Sequence, residues 1–483
     1  MQRAARQREL KTSRPPRYQR EHGPDKPSDS RSEAQRDRDR IFYTPAFRRL
    51  ADVTQTVSAS EGPVFHNRLT HSLEVAQLGR RLAEKLVKDD PQTAQAVGGI
   101  DPDIVEAACL AHDIGHPPFG HVAEKELLEC LKRKKVRSGF DGNAQSFRIV
   151  TKLAHHPPSP IGLNLTRATL NAILKYPWLR DTPSSPPLKW GAYDSEFLQL
   201  RFTRKGAIAP DQSGEESQWA GQFVGERELS IAELDWARRN SALRDLRKCP
   251  EAVLMDWADD VTYAVHDAHD FYAAGLIPLD RLTSKKDDSE RQRFFEEVFE
   301  RHKRAHFPIP HSRVELERAF AEIILLFPLL GPCRGTIQQR RSLIEHSSVL
   351  IGRYINGVLL DKSAKNGGEV RLDPEHEKEV FMLKQLTWTY VILQSKLATQ
   401  QHGQRRIIRE LFDVYCEAAE QGGEELTVFP PSIREQIEGN SSKEGCYRIV
   451  SDFISGMGER QAVNTHHKLT GTYLGSVLDG LTE

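Results

Sequence analysis

Residues 101–124 read DPDIVEAACLAHDIGHPPFGHVAE. Asp101 followed by Pro102 is a helix-start signal, because a carboxylate can accept from the first free N–H groups and proline fits the first helical position. Ile104, Ala107, Ala108 and Ala111 then recur at helical spacing, and the next residue facing that way is His112. His112, His116 and His121 fall within ten residues, beside Pro117-Pro118 and Gly120. Burying so many imidazoles for packing alone would leave ring nitrogens to satisfy. One histidine among the eighteen of this chain says little, but this cluster predicts an apolar helix that ends in a polar site.

The helical period continues outward. Leu73, Ala76, Gly79, Leu82, Ala83 and Leu86 share one face, and similar stripes predict helices over 121–133, 143–154, 166–175, 231–245, 251–274, 290–303, 312–327 and 337–357. Further stripes follow over 376–401, 405–420, 431–438, 443–456 and 459–480, whereas Val370-Arg371-Leu372 is the best short strand candidate. The fold class is all-α. Residues 177–192, rich in Pro and Ser, and 203–228, without periodicity, are expected to be flexible insertions. Chemistry-bearing residues lie on both sides of them, so one helical core over 41–280 is expected, with a C-terminal helical region 281–483 packed on the same core.

The 483 residues are 38% hydrophobic and 28% charged, enough for a sizeable core. Lys+Arg and Asp+Glu are 68 each, which excludes a generic polyanion binder with a basic global field. The longest apolar run, Ile323 to Leu330, already contains Pro328 and is far short of the roughly twenty residues a bilayer requires. The first residues lack an apolar stretch of signal-peptide type, and the six cysteines form no CxxC pair. A cytoplasmic protein with reduced thiols and no membrane association is expected. Residues 1–40 carry twelve Lys/Arg against seven Asp/Glu and only Leu10 among large aliphatics, so they are expected to be a disordered basic arm.

Four residues carry the chemical signal: His71, the pair His112-Asp113, and Asp259. Each falls in a helical stretch whose other faces are apolar. Two imidazoles and two carboxylates make a mixed N/O donor set for one divalent cation. That set suits Mg, Mn, Co, Fe or Ni better than a structural zinc site, which would normally bring thiolates.

The motifs extend this pattern. Arg38-Asp39-Arg40-Ile41, Ala46-Phe47-Arg48-Arg49-Leu50, Thr54-Gln55-Thr56, His66-Asn67-Arg68-Leu69-Thr70-His71-Ser72-Leu73-Glu74-Val75, the run from Ala111 to His121, Asp141-Gly142-Asn143-Ala144-Gln145-Ser146 and Ala258-Asp259-Asp260-Val261-Thr262-Tyr263 together resemble the bacterial deoxyguanosine triphosphate triphosphohydrolase (dGTPase) family of the HD-domain superfamily. Coverage is dense over 38–150 and 251–272 and thin beyond 280.

The resemblance selects Asp259, not Asp260, as the fourth metal ligand. It gives His121 and Glu124 a catalytic role at the α-phosphorus, with the glutamate orienting the histidine. A carboxylate beside an imidazole fixes its tautomer and raises its basicity. It makes Arg68 a triphosphate clamp and His116 a further phosphate contact. Gln55 and Asp267 would bond the deoxyribose 3′-hydroxyl, and Tyr263 would wall the sugar. Asp259, Tyr263 and Asp267 are spaced i, i+4, i+8 and share a helix face.

The implied reaction is metal-dependent hydrolysis of a deoxynucleoside triphosphate to deoxynucleoside and inorganic triphosphate, serving nucleotide pool control. The implied partners are that substrate, a second deoxynucleotide as activator, single-stranded DNA, and copies of the chain in a homo-oligomer, often a hexamer. Two departures stand out. A lysine of some vertebrate relatives is Asp260 here, and Met457-Gly458-Glu459-Arg460-Gln461-Ala462 has Gln461 where the family often has tyrosine. The competing readings are another HD phosphohydrolase, a nucleotide-sensing or single-strand-binding protein without turnover, and a helical scaffold with a structural metal. Release of tripolyphosphate separates the implied reaction from other HD phosphohydrolases; a salt-dependent DNA affinity lost on deleting residues 1–40 would support the binding reading, and a metal-free preparation that folds yet loses hydrolysis would dispose of the scaffold.

Overall fold

The computed structural model describes residues 16–21, 30–56, 66–157, 161–180, 189–193, 237–238, 247–284, 286–305, 309, 311–327, 331–362, 369–393 and 395–471. The architecture is all-α. In chain order the main helices are α1 (Glu33–Phe42), α2 (Arg68–Asp89), α3 (Pro102–Ala111), α4 (His121–Arg133), α5 (Gly142–Arg148), α6 (Arg167–Ile173) and α7 (Pro250–Ala273). They continue as α8 (Ser289–Ala305), α9 (Arg313–Leu326), α10 (Ile337–Asn356), α11 (Pro374–Thr387), α12 (Ser395–Gln421), α13 (Lys443–Ser455) and α14 (Glu459–Leu469). A small antiparallel hairpin pairs β1 (Val358–Asp361) with β2 (Glu369–Leu372), with Val358 opposite Leu372. The strand expected at Val370–Leu372 is its second arm.

Helix starts follow local chemistry. Asp101 accepts from the Asp103 N–H with Pro102 at the first position, Asn67 caps α2, and Ser32 and Gln35 form a capping box on α1. Helix α3 lies at the centre, against α1, α2, α6 and α7. Its contact with α2 is close: a Cβ on Gly79 would stand 2.5 Å from Cys109 Sγ. Any larger residue at Gly79 forces the two helices apart.

The apolar core forms two clusters. The first gathers Leu82, Val105, Ala108, Met255, Val261 and Phe320, and takes in Leu383 and Leu386 of α11. The second joins Leu127 and Leu131 of α4 to Phe412 and Tyr415 of α12 and Ile454 of α13. The C-terminal region therefore divides between them: residues up to Val391 join the first cluster, and those from Ile408 build the second. The stripe expected to run unbroken over 376–401 is interrupted by a π-helical turn at Trp388–Ile392, which separates α11 from α12. A similar turn at Ile149–Leu153 ends the helix expected over 143–154.

The arm expected to be disordered to residue 40 differs. Residues 33–40 are helical, and Arg20, Arg36, Asp37 and Arg40 are buried. Arg20 donates to Asp37 Oδ1 at 2.5 Å and Glu33 Oε2 at 2.8 Å, and its backbone bridges to Thr166. Arg40 donates to the carbonyls of Leu163 at 2.8 Å and Asn164 at 2.6 Å. Paired charges do here what apolar burial does elsewhere, which a composition argument misses. Residues 1–15 and 22–29 of the arm lie outside the described residues.

Of the expected insertions, 203–228 also lies outside them, whereas the described ends of 177–192 pack inward. Trp190 is buried, and Leu179 bridges to Ala192. Among the described residues, no helix is long and apolar enough to cross a membrane.

Candidate metal centre and catalytic pocket

Three helices bring the four expected ligands together. His71 sits on the first turns of α2, His112 and Asp113 follow the end of α3, and Asp259 lies near the middle of α7. Asp259 Oδ1 is 3.0 Å from His71 Nε2 and 3.5 Å from His112 Nε2, and Asp113 Oδ1 is 3.6 Å from His112 Nε2. His71, His112 and Asp259 thus offer donor atoms within 4.8 Å of one another.

One nitrogen decides whether a cation fits. His112 Nδ1 lies 2.6 Å from the Cys109 carbonyl and donates to it, so Nε2 points inward, and it is buried without a hydrogen-bond partner. Burial lowers the His112 pKa, but Asp113 and Asp259 override it and lift it to about 9. The pocket therefore favours positive charge at that nitrogen, which a bound cation would supply. The same field acts on the acids. Burial opposes ionisation of Asp259 and Asp113, yet Lys175 and His112 hold the first, and Arg68, His112 and His116 the second, well below the usual carboxylate range. The donor set fits a divalent ion of intermediate hardness.

Around this cluster lies a cavity of about 510 Å³, within the range of small-molecule sites. Its wall includes Gln55, Arg68, His112, Asp113, His116, His121, Asp259 and Tyr263. Arg68 pairs with Asp113 Oδ2, and His116 Nδ1 is 3.0 Å from Asp113 Oδ1. Burial, followed by the charge of Arg68, pushes His116 down to about 4. Gln55 Oε1 is buried without a hydrogen-bond partner.

Asp267 is not in the wall. It stands behind Thr56, whose hydroxyl donates to Asp267 Oδ2 at 3.0 Å, and burial pushes its pKa up to about 7.

His121 opens α4 after a tight turn. Phe119 and Gly120 both have positive φ, 67° and 56°, and a non-glycine residue in that region is strained. His121 Nδ1 lies 2.6 Å from Glu124 Oε2, while the imidazole is exposed toward the cavity. Glu124 Oε1 accepts from Lys189 Nζ at 2.8 Å and from the Gly142 N–H at 3.0 Å. Burial raises the Glu124 pKa, but the bond with His121, aided by Lys189, holds it well below its usual range. The ionised carboxylate therefore fixes Nδ1 as the protonated nitrogen and leaves Nε2 for chemistry.

Several residues were not found from sequence. Lys175 donates to Asp259 Oδ2 at 2.7 Å and pairs with Asp256 Oδ1 at 2.8 Å. Lys384, from α11, donates to Asp260 Oδ1 at 2.8 Å, so a lysine reaches the neighbourhood of Asp260 from another helix. Lys175, Lys189 and Lys384 all line the cavity. Glu459, at the start of α14, ties two walls together. Its Oε1 accepts from the Thr54 N–H at 2.7 Å and the Phe119 N–H at 3.0 Å, and its Oε2 from the Thr54 hydroxyl at 2.9 Å. Glu459 was visible only as part of the Met457–Ala462 motif.

Comparison with known proteins agrees with this geometry. The HD domain family model matches residues 68–181, and the phosphohydrolase-associated domain matches 370–468. A deoxyguanosinetriphosphate triphosphohydrolase-like protein of Streptomyces coelicolor is 33% identical, covering 91% of this chain and 93% of its own. One from Corynebacterium efficiens is 32% identical over 89% of each chain. One from Shewanella loihica is 27% identical over 94% of this chain and 96% of its own. With the metal-type cluster on its HD helices and relatives spanning nearly its full length, the chain belongs to the deoxyguanosinetriphosphate triphosphohydrolase-like family of HD-domain phosphohydrolases.

Proposed function

We propose that the chain hydrolyses a deoxynucleoside triphosphate, of the dGTP type, to the deoxynucleoside and inorganic triphosphate. The observation that carries this reading is one cavity lined by His112, the Arg68 guanidinium and His121, whose ring is held from behind by Glu124. His71, His112, Asp113 and Asp259 would hold one divalent cation, Mg, Mn, Co, Fe or Ni. When bound, such a cation polarises the α-phosphate and offsets its charge.

The chain's own groups do the rest. Arg68, with Lys175, Lys189 and Lys384 around the cavity, provides positive charge for a triphosphate, and the guanidinium fork suits its oxygen clusters. His116 adds a phosphate contact. Hydrolysis joins a water oxygen to the α-phosphorus and breaks the bond to the 5′-oxygen, which must take up a proton. His121, held by Glu124, stands at the wall to pass that proton. Tyr263 lies on the same face of α7 as Asp259 and walls the sugar side, where a ring close to C2′ leaves no room for a ribose hydroxyl. Gln55 at the wall would take the 3′-hydroxyl, with Asp267 acting from behind through the Thr56 hydroxyl that donates to it.

The test is product analysis. Purified protein is incubated with each deoxynucleoside triphosphate, singly and mixed, with magnesium or manganese. Tripolyphosphate and free deoxynucleoside are expected, and both vanish in His112→Ala. Release of orthophosphate or pyrophosphate overturns the reading.

A further inference from the structure

A second cluster of metal-type donors lies outside the cavity. His66 precedes Asn67, the cap of α2; Glu74 projects from the second turn of that helix; and His266 and Asp270 stand one turn apart on α7. Glu74 Oε2 is 2.7 Å from His266 Nδ1, and Glu74 Oε1 is 3.5 Å from His66 Nε2. Asp270 Oδ2 is 2.6 Å from the other ring nitrogen of His66. The two imidazoles lie nearly parallel, with centroids 5.6 Å apart and planes inclined by 21°. None of His66, Glu74, His266 or Asp270 lines the cavity.

We propose that His66, Glu74 and His266 form a second cation site, of zinc-class chemistry, which pins the start of α2 to α7. The donor set is two neutral imidazoles and one carboxylate, a common three-ligand zinc arrangement that leaves a fourth position open. The Glu74 carboxylate sits between the two imidazoles, with Oε2 at 2.7 Å from His266 Nδ1 and Oε1 at 3.5 Å from His66 Nε2, and tetrahedral zinc with bonds near 2.05 Å would set its donors about 3.3 Å apart. The three donor atoms lie within 4.8 Å of one another.

Asp270 supplies what such sites usually have behind a ligand: a carboxylate on the far nitrogen of His66, turning Nε2 toward Glu74. Magnesium, which prefers oxygen ligands and resists dehydration, is a poor match for two imidazoles. The site therefore discriminates between zinc and the abundant hard cation.

The consequence is local. Arg68 and His71 stand two and five residues after His66, and Asp267 lies one residue beyond His266. A cation here ties the start of the helix carrying Arg68 to the helix carrying Asp259.

The experiment uses the full chain, stripped with a chelator, saturated with magnesium and then titrated with zinc. Bound zinc is counted by plasma mass spectrometry, and folding is checked by circular dichroism. We expect His266→Ala and Glu74→Gln each to bind one equivalent of zinc fewer than the parent protein. The isosteric Glu74→Gln guards against a variant that fails to fold. In cobalt-substituted protein, the same variants should lose a tetrahedral visible absorption band that His112→Ala retains. Unchanged zinc stoichiometry in both folded variants overturns the proposal and identifies the cluster as an ion-pair bundle. Because His112→Ala reports only on the HD centre, failure of the proposed hydrolase function would be read separately.

Discussion

Two groups of buried charge lie a few helices apart and are finished differently. Asp37 is fully buried, and its carboxylate accepts from Arg20, the Thr166 N–H at 2.9 Å, the Thr166 hydroxyl at 2.7 Å and the Thr169 hydroxyl at 2.6 Å. Its acceptor capacity is filled by protein donors. At the metal-type cluster, two carboxylates and two imidazoles converge and His112 Nε2, though close to both carboxylates, makes no hydrogen bond. A buried carboxylate saturated by its own chain belongs to the architecture. A buried donor set left short is shaped for something the chain does not contain.

That contrast can be broken by substitution. The largest effect is expected at the unsaturated cluster: His112→Ala or Asp259→Asn should lower turnover by roughly 10³-fold or more and abolish metal retention, while thermal unfolding moves little. Activity assays and metal analysis on the same preparation check this. A large loss of stability instead would place the cluster with Asp37.

Asp37→Ala should do the reverse. It leaves the Arg20 charge buried without its main partner, at a cost of about 3–5 kcal/mol. Urea unfolding measures the loss, and activity per folded molecule should be unchanged.

Glu459→Ala comes next. It frees the Thr54 and Phe119 segments that flank the cavity, and kcat is expected to fall about tenfold to a hundredfold, with a smaller change in KM. Glu459→Asp should recover part of it, and steady-state kinetics of the pair give the answer.

The remaining effect concerns pH. A carboxyl titrates near 4 in the unfolded chain and Asp267 near 7 in the folded one, so between those values the native state binds the extra proton. The parent protein should lose stability relative to Asp267→Asn as pH rises through that window, and the two curves should run parallel above it. Denaturant melts at pH 5, 6, 7 and 8 test the sign.

Most of the helices were legible because their signals are local. Asp101-Pro102 and the stripe ending at His112 set α3 before any tertiary contact is known, and the resemblance placed Gln55, Arg68, His116, His121, Glu124, Tyr263 and Asp267 near one another in advance. The structure puts all of these in or just behind one cavity wall. What stayed hidden is long-range. Lys175 and Lys384 reach α7 acids from 84 and 124 residues away, and no periodicity reports such a meeting. The arm misled for another reason: apolar content measures only one way to stabilise burial, and Arg20, Glu33 and Asp37 use the other. The π-turn at Trp388–Ile392 was equally silent, although it brings both of its end residues to the cavity.

Glu459 adds a constraint of timing. Every predicted metal ligand has left the ribosome long before α14 is made, yet the bonds that hold Thr54 and Phe119 in register come from a residue 340 positions after the second of them. A nascent chain halted just short of α14 would carry every predicted ligand but lack the brace. The brace that shapes the pocket is thus made only after every ligand it surrounds.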